Sequence, residues 1–436
     1  MYRGGGQSAC HVMNRIDFLP TVPKEMIIQH KGGMSPLQRR RRRRLSRLSR
    51  PASSCYLLCS FVTVLLTSCR SSAAAPAAAA ASNQSTRTGR STCMMPTCCL
   101  AVSPPERLHK LLQDEMNNKS NTNTPILLPC CYDGLTARLV ARAKFRATFM
   151  TGFGVSAVNG YPDTQLISYN EMMLAASTVA EGLSSVALEM GSTEDADATE
   201  TDAEADAEAD ADADPGPIPC IADGDTGYGN AINAKRTVFG YARAGMAGIM
   251  IEDQVAPKRC GHVAGKSVIG FDEAVQRVKA ACDARDEYAA MYGPGTGPLI
   301  LARTDSLKTN GFEDAIQRCL AFRDVGCDMT FLEAPETIEQ MKEYCSRVSG
   351  PKLANMLEYG TTPILPPMEL KTIGYTMAAY PLTLLSASIK SMQYALERIR
   401  DGETTDDLIL SFAETKDAVG FTRYMYAQEE DRYRTD

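Results

Sequence analysis

The segment Pro257-Lys258-Arg259-Cys260-Gly261-His262 sets two cations and an imidazole around one thiol. Such surroundings stabilise a thiolate and make the sulfur usable as a proton donor or acceptor. Acidic residues follow short apolar runs close by: Asp223 and Asp225 after 217–222, Glu252 and Asp253 at the end of 248–252. Asp223, Asp225 and Glu252 are hard oxygen donors without a His or Cys partner, a set that favours Mg²⁺ or Mn²⁺ over zinc. The arrangement recurs along the chain, with Asp133, Thr151-Gly152, Arg303 and Asp305, Glu333, and Asn355 and Glu358 each closing a further run. One such residue commonly caps a helix or joins an ion pair. Repetition over seven runs predicts that they converge on one mouth.

The runs themselves predict strands at 126–132, 147–151, 217–222, 248–252, 298–303, 329–333, 352–356 and 375–380. Between them lie helical patterns at 169–183, 231–244, 271–288, 312–325 and 338–348, with Gly or Pro at most junctions. Strands alternating with helices of this length imply βαβ units and a parallel sheet. Eight units predict an α/β fold, a (β/α)8 TIM-type barrel with its active site at the C-terminal ends of the strands. A doubly wound open sheet is the structural alternative, but no GxGxxG follows the first strand. Extra C-terminal helices are predicted near 383–400 and 405–417. The stripe Leu384, Leu385, Ile389 and Met392 suits core or a subunit interface.

The net charge of -6 over 436 residues averages unlike segments. Residues 1–100 carry 15 Lys and Arg against 2 acids, including six arginines from Arg39 to Arg44. An apolar stretch from Cys55 to Cys69 and a small-residue run follow, the order a secretory signal requires. Residues 1–105 are therefore expected to be a targeting or disordered extension. Import into a plastid or mitochondrion is expected, with a two-step route through the ER as a variant. Residues 192–214 hold 11 acids and no base, a self-repelling low-complexity insertion expected to be disordered. Residues 106–436, which contain it, are expected to form the catalytic barrel. The acidic body argues against a nucleic-acid partner, and no run of about 20 apolar residues supports a membrane span. The cysteines at 130, 220, 282, 319, 327 and 345 show no zinc spacing and are expected as small buried hydrophobes.

Over roughly residues 107–425 the chain resembles the isocitrate lyase/phosphoenolpyruvate mutase superfamily. The resemblance rests on Thr151-Gly152-Phe153-Gly154, Ala222-Asp223-Gly224-Asp225-Thr226-Gly227-Tyr228-Gly229, Ile251-Glu252-Asp253-Gln254, Lys258-Arg259-Cys260-Gly261-His262, Ala302-Arg303-Thr304-Asp305 and Leu353-Ala354-Asn355-Met356. It is similar in look to the small single-barrel members: methylisocitrate lyase, 2,3-dimethylmalate lyase, oxaloacetate hydrolase and carboxyvinyl-carboxyphosphonate phosphorylmutase. Thr151 stands where Ser is usual, which keeps the hydroxyl. The resemblance implies a magnesium enzyme, a homotetramer acting on a small 2-hydroxy or 2-oxo dicarboxylate. Asp223 would hold Mg²⁺ (or Mn²⁺) directly, with Asp225, Glu252 and Asp163 on its waters. Thr151, Gly152 and Phe153 would bind substrate, with Lys258, Arg259, Gly261, Asn355 and Thr362. Cys260, Arg303, Glu333 and His262 would be catalytic, and the Cys260 loop would cover the site. Phosphorus-moving members usually lack Cys-Gly-His, so the motif favours cleavage of a C2–C3 bond in a methylisocitrate- or dimethylmalate-like acid. Oxaloacetate hydrolysis or phosphonate phosphorylmutase chemistry in the same barrel is the alternative.

Overall fold

A computed structural model describes residues 102–120, 122–191, 216–261, 265–421 and 433–434. The expectations for the first hundred residues, for the acidic tract and for His262 lie outside the described residues. The strands are β1 (Ile126–Cys131), β2 (Thr148–Met150), β3 (Cys220–Asp223), β4 (Gly248–Glu252), β5 (Leu299–Thr304), β6 (Met329–Leu332), β7 (Leu353–Asn355) and β8 (Met377–Tyr380). All pair in parallel in the order β6-β5-β4-β3-β2-β1-β8-β7. A single bridge between Thr330 and Lys352 joins β6 to β7 and closes the ring, with Thr330 N–H donating to Pro351 O at 3.1 Å. This is the expected (β/α)8 barrel. β3 begins later than its apolar run because Pro217 and Pro219 have no N–H to give a ladder.

Helices α1 (Pro104–Met116), α2 (Gly134–Arg142), α3 (Gly152–Val158), α4 (Tyr169–Gly191), α5 (Ala231–Arg243) and α6 (Phe271–Tyr292) precede β5. After it come α7 (Leu307–Asn310), α8 (Phe312–Asp324), α9 (Ile338–Arg347), α10 (Pro367–Ile373), α11 (Thr383–Arg400) and α12 (Phe412–Ala418). The helical patterns at 169–183, 231–244, 271–288, 312–325 and 338–348 are α4, α5, α6, α8 and α9. Asp133 does not join the mouth: its Oδ1 accepts from Thr136 N–H at 2.7 Å and caps α2. α1 was not foreseen. Ser103 caps it and Pro104 and Pro105 open it. Its Leu108 and Leu112 are buried with Ile126, Leu299, Met329 and Met377. The helix thus plugs the N-terminal end of the ring, and each of those leucines is worth about 1.5–3 kcal/mol of burial.

Period-two alternation splits every strand between two environments. Leu299 and Leu301 of β5 belong to the interior of the ring, whereas Ile300 and Ala302 pack outward with the α6 residues Val278 and Ala281. Met250 faces in and Ile249 and Ile251 face out. Of the α11 residues, only Leu385 is buried. Ile389, Met392, Leu396 and Ile399 continue the same stripe at three- and four-residue spacing and are 41–65% exposed. Among the described residues no helix is long and apolar enough to cross a membrane.

Candidate active site

The alternation fixes which side chains reach the mouth. Phe149, Ile221, Met250, Leu301, Phe331 and Leu353 face the interior. The inward positions two residues later are Thr151, Asp223, Glu252, Arg303, Glu333 and Asn355. Six strands therefore place a polar group at the same end of the ring, above an apolar floor, at the usual position for this fold. A cavity of about 70 Å³ lies there. Thr151, Phe153, Asp163, Asp223, Arg303, Glu333 and Asn355 line it, with Lys258, Cys260 and Gly261 from the loop after β4.

Lys258 sits among the carboxylates. Its Nζ is 2.6 Å from Asp163 Oδ1 and 2.9 Å from Asp225 Oδ1, with the lysine side chain 4% exposed. Burial opposes its charge, but Asp225, Asp223, Asp163 and Glu252 outweigh burial and hold the ammonium well above the ordinary lysine range. Burial raises Asp223 above the usual carboxylate range, with Lys258 acting against it. Burial likewise pushes Glu252 well up, opposed by Arg303 and Lys258. Neither oxygen of Glu252 accepts a hydrogen bond, although Arg303 Nε stands 3.3 Å from Oε2. Gly152 N–H donates to Asp223 Oδ2 at 3.2 Å. A Cβ at position 152 would lie 2.6 Å from that oxygen, so glycine is required there.

The donors are all hard oxygens, and Glu252 is a buried carboxylate with unfilled acceptors, so the residues fit a hard divalent cation. Among the described residues no group of three or more His, Cys, Asp or Glu side chains is placed to hold a metal ion, and Lys258 lies between Asp163 and Asp225.

On the other side of the cavity Arg303 is gripped by carboxylates. Its Nε donates to Asp305 Oδ2 at 2.8 Å, and Nη2 lies 3.7 Å from Glu333 Oε1. Burial opposes the charge of Arg303, but Asp305, Glu333 and Glu252 keep it firmly protonated. The loop carrying Cys260 rests on this group. A Cβ added to Gly261 would collide with Glu333 Oε1 and Arg303 Nη2, so only glycine allows the approach. Cys260 is half-buried at the cavity wall, and the other described thiols are buried apart from the half-buried Cys345. No described cysteine is in a disulfide.

Not every expected residue touches the cavity. Gly152 lies behind Asp223, Asp225 behind Lys258 and Glu252 behind Arg303. Arg259 is exposed and lines a neighbouring hollow of about 630 Å³ with Pro162, Pro257 and Ser267. Thr362 is buried away from the cavity, and its hydroxyl has no hydrogen-bond partner among the described residues. Three supporting residues were not foreseen. Gln165 Oε1 accepts from Lys258 N–H at 3.0 Å. Gln254 clamps Arg259 by accepting from its N–H and donating to its carbonyl. Lys266 donates to Gly261 O and to Asp305 Oδ1. Gln254 adjoins the Glu252-Asp253 pair, which was a signal. Gln165 and Lys266 stand in loops with none.

The fold and the mouth define a (β/α)8 enzyme with its acid groups, one arginine and one thiol at the C-terminal ends of the strands. Residues 118–400 match the family phosphoenolpyruvate phosphomutase. The chain belongs to that family, within the isocitrate lyase/phosphoenolpyruvate mutase superfamily, and is an enzyme of its lyase and mutase class. The 2,3-dimethylmalate lyase of Eubacterium barkeri is 34% identical, over 71% of this chain and 94% of that one. The protein named carboxyvinyl-carboxyphosphonate phosphorylmutase, chloroplastic, of Arabidopsis thaliana is 32% identical, over 73% of this chain and 82% of that one. A structure of oxaloacetate acetylhydrolase with 3,3-difluorooxalacetate superposes with a TM-score of 0.63 at 29% identity, over 77% of this chain and 99% of that one.

Proposed function

We propose that this protein is a carbon–carbon lyase, dependent on Mg²⁺ or Mn²⁺, that cleaves the C2–C3 bond of a compact 2-hydroxy dicarboxylate. The products are a 2-oxo acid and a carboxylate. The observation that carries this reading is the seating of Gly261 against Arg303 and Glu333, which puts the neighbouring Cys260 thiol at the wall of the cavity those residues line. Asp223 would hold the metal, with Asp225, Glu252 and Asp163 on its waters. A bound Mg²⁺ or Mn²⁺ supplies Lewis-acid stabilisation of the substrate oxygens. Thr151 and Asn355 hold the substrate oxygens, Arg303 faces the charge that develops on the departing carboxylate, and Glu333 keeps Arg303 aimed. As the C2–C3 bond breaks, the C2 hydroxyl gives its proton to a carboxylate of the mouth, C2 becomes the carbonyl and the bonding pair goes to C3. Cys260 Sγ–H delivers its proton to C3 and becomes the thiolate.

Apolar residues complete the lining, among them Leu353, Leu357, Ala379, Pro381 and Leu382. The described cations of the cavity, Lys258 and Arg303, are both committed to buried carboxylates. The apolar lining suits the alkyl substituents of a dimethylmalate-like acid, and a substrate panel decides between it and a methylisocitrate-like tricarboxylate. The test is a panel of malate, 2,3-dimethylmalate, 2-methylisocitrate, oxaloacetate and phosphonopyruvate with Mg²⁺, assayed for products and repeated in EDTA. Release of 2-oxo acid from 2,3-dimethylmalate, lost in EDTA and restored by Mg²⁺, is expected. Oxalate from oxaloacetate as the main product would favour the hydrolase, and turnover of phosphonopyruvate the mutase.

Two further properties belong to this proposal. The exposed stripe of α11, from Ile389 to Ile399, suits burial against other copies in a homotetramer, and light scattering of the purified protein checks it. The arginine-rich, acid-poor first hundred residues suit removal on organelle import, as the chloroplastic name of the Arabidopsis relative does. N-terminal sequencing of the native protein should find a start between about residues 70 and 105.

A further inference from the structure

We propose that Lys266 is a positioning residue that locks the Cys260–Gly261 turn onto Arg303, an inference that rests on the lyase reading above. Lys266 is on the far limb of the loop after β4, where Val255 N–H donates to Ser267 O at 2.9 Å and Gln254 bridges Val268. Its side chain is 4% exposed although the loop is at the surface. The ammonium donates to Gly261 O at 2.8 Å and to Asp305 Oδ1 at 2.7 Å. Asp305 is fully buried, and its carboxylate accepts from Arg303 Nε at 2.8 Å and Nη2 at 3.1 Å. Asp305 is itself fixed, since its backbone N–H donates to Asp253 Oδ1 at 2.9 Å. One buried cation therefore ties the carbonyl beside the thiol to the carboxylate that orients the arginine.

The electrostatics give the tie a second role. Arg303 faces three carboxylates: Asp305, Glu252 and Glu333. Lys266 shares Asp305 and so weakens the pull of that carboxylate on the guanidinium. Without it, Asp305 holds Arg303 more tightly and the Gly261 carbonyl loses its anchor. Both changes move the thiol and the arginine apart, the two groups that must meet one substrate. A misplacement of about 1 Å at a reacting centre costs on the order of 10²-fold in rate.

The experiment compares the full-length protein with Lys266→Met and Lys266→Arg. The first measurement needs no substrate: the rate of iodoacetamide alkylation at Cys260, read by peptide mass spectrometry, with Cys345 as the internal reference. The second is kcat and KM on 2,3-dimethylmalate with Mg²⁺. Lys266→Met should raise alkylation of Cys260 about tenfold relative to Cys345 and lower kcat by about 10–100-fold, with KM within about threefold. Lys266→Arg, which keeps the charge and can reach both acceptors, should recover protection of the thiol and most of kcat. Unchanged alkylation in Lys266→Met, or an equal rise at Cys345 that reports general loosening, would overturn the proposal. If Cys260→Ser retains turnover while Lys266→Met still releases the thiol, the positioning role stands and the lyase assignment of Cys260 falls.

Discussion

Replacing Lys258 by Met tests whether the carboxylates of the mouth are charged and in need of a cation. The substitution removes an ammonium that lies 2.6 Å from Asp163 and 2.9 Å from Asp225, with all three side chains at most 7% exposed. Deleting one partner of such a buried pair costs about 3–5 kcal/mol, because the charge left behind is uncompensated. With unfolding entropy of about 2.1 cal/mol/K per residue over roughly 300 residues, 1 kcal/mol corresponds to about 1.5 °C. Lys258→Met should therefore melt about 5–8 °C below the wild type by calorimetry in EDTA. Added Mg²⁺ should then raise its Tm by more than it raises the wild type's, since the ion no longer meets the repulsion of the ammonium. Saturation at 100 times Kd is worth about 2.7 kcal/mol, close to 4 °C on the same scale. A Tm within about 1 °C of the wild type in EDTA, or a deficit that Mg²⁺ leaves untouched, would refute the reasoning.

Cys260→Ser should lower turnover by about 10²–10⁴, the scale for a general acid–base group, while isothermal titration still detects substrate; near-full turnover would remove the thiol from the chemistry. Burial opposes the charge of Asp305, but Arg303 and Lys266 hold its carboxyl well below the ordinary range. Its contribution to stability is thus present above about pH 4 and is lost as pH falls below that. Asp305→Asn should flatten the acid limb of a Tm-against-pH curve, and an unchanged limb would contradict the ion pairs. Replacing residues 192–214 by a short Gly/Ser link should leave turnover within about twofold. α4 ends at Gly191 and β3 starts at Cys220, and helix-to-strand connections leave the barrel opposite the active face. A large loss of turnover with the barrel still folded would show that the tract serves the site.

The strands were legible because a buried parallel strand is a short run of apolar residues on both faces, and each of the eight runs contains one. The mouth was legible from the same rule. Arg303 is two residues past Leu301 and Glu333 two past Phe331, so an inward apolar position predicts the next inward position. Asp133 shows the limit of that rule. An acid after a strand also caps the following helix, and only the hydrogen bond to Thr136 distinguishes the two. α1 was missed because its first residues lie at the edge of a segment whose composition suggested a tail. Its reason to be helical is tertiary: Leu108 and Leu112 need the open end of the ring. The central place of Lys258 was hidden too. The sequence shows it beside Cys260, but its partners Asp163 and Asp225 come from other loops, and nothing local brings them to it.

The ring is joined unevenly, and the weak join runs beside the site. β6 and β7 meet through the one bridge at Thr330 and Lys352, whereas β4 and β5 pair over five consecutive residues. Glu333 continues β6 and Asn355 closes β7, so the two sides of that seam each carry a polar group into the cavity. Any opening of the barrel at this joint would draw them apart. A ligand that spans Glu333 and Asn355 would bridge the joint, so amide exchange in β6 and β7 is expected to slow when the site is filled.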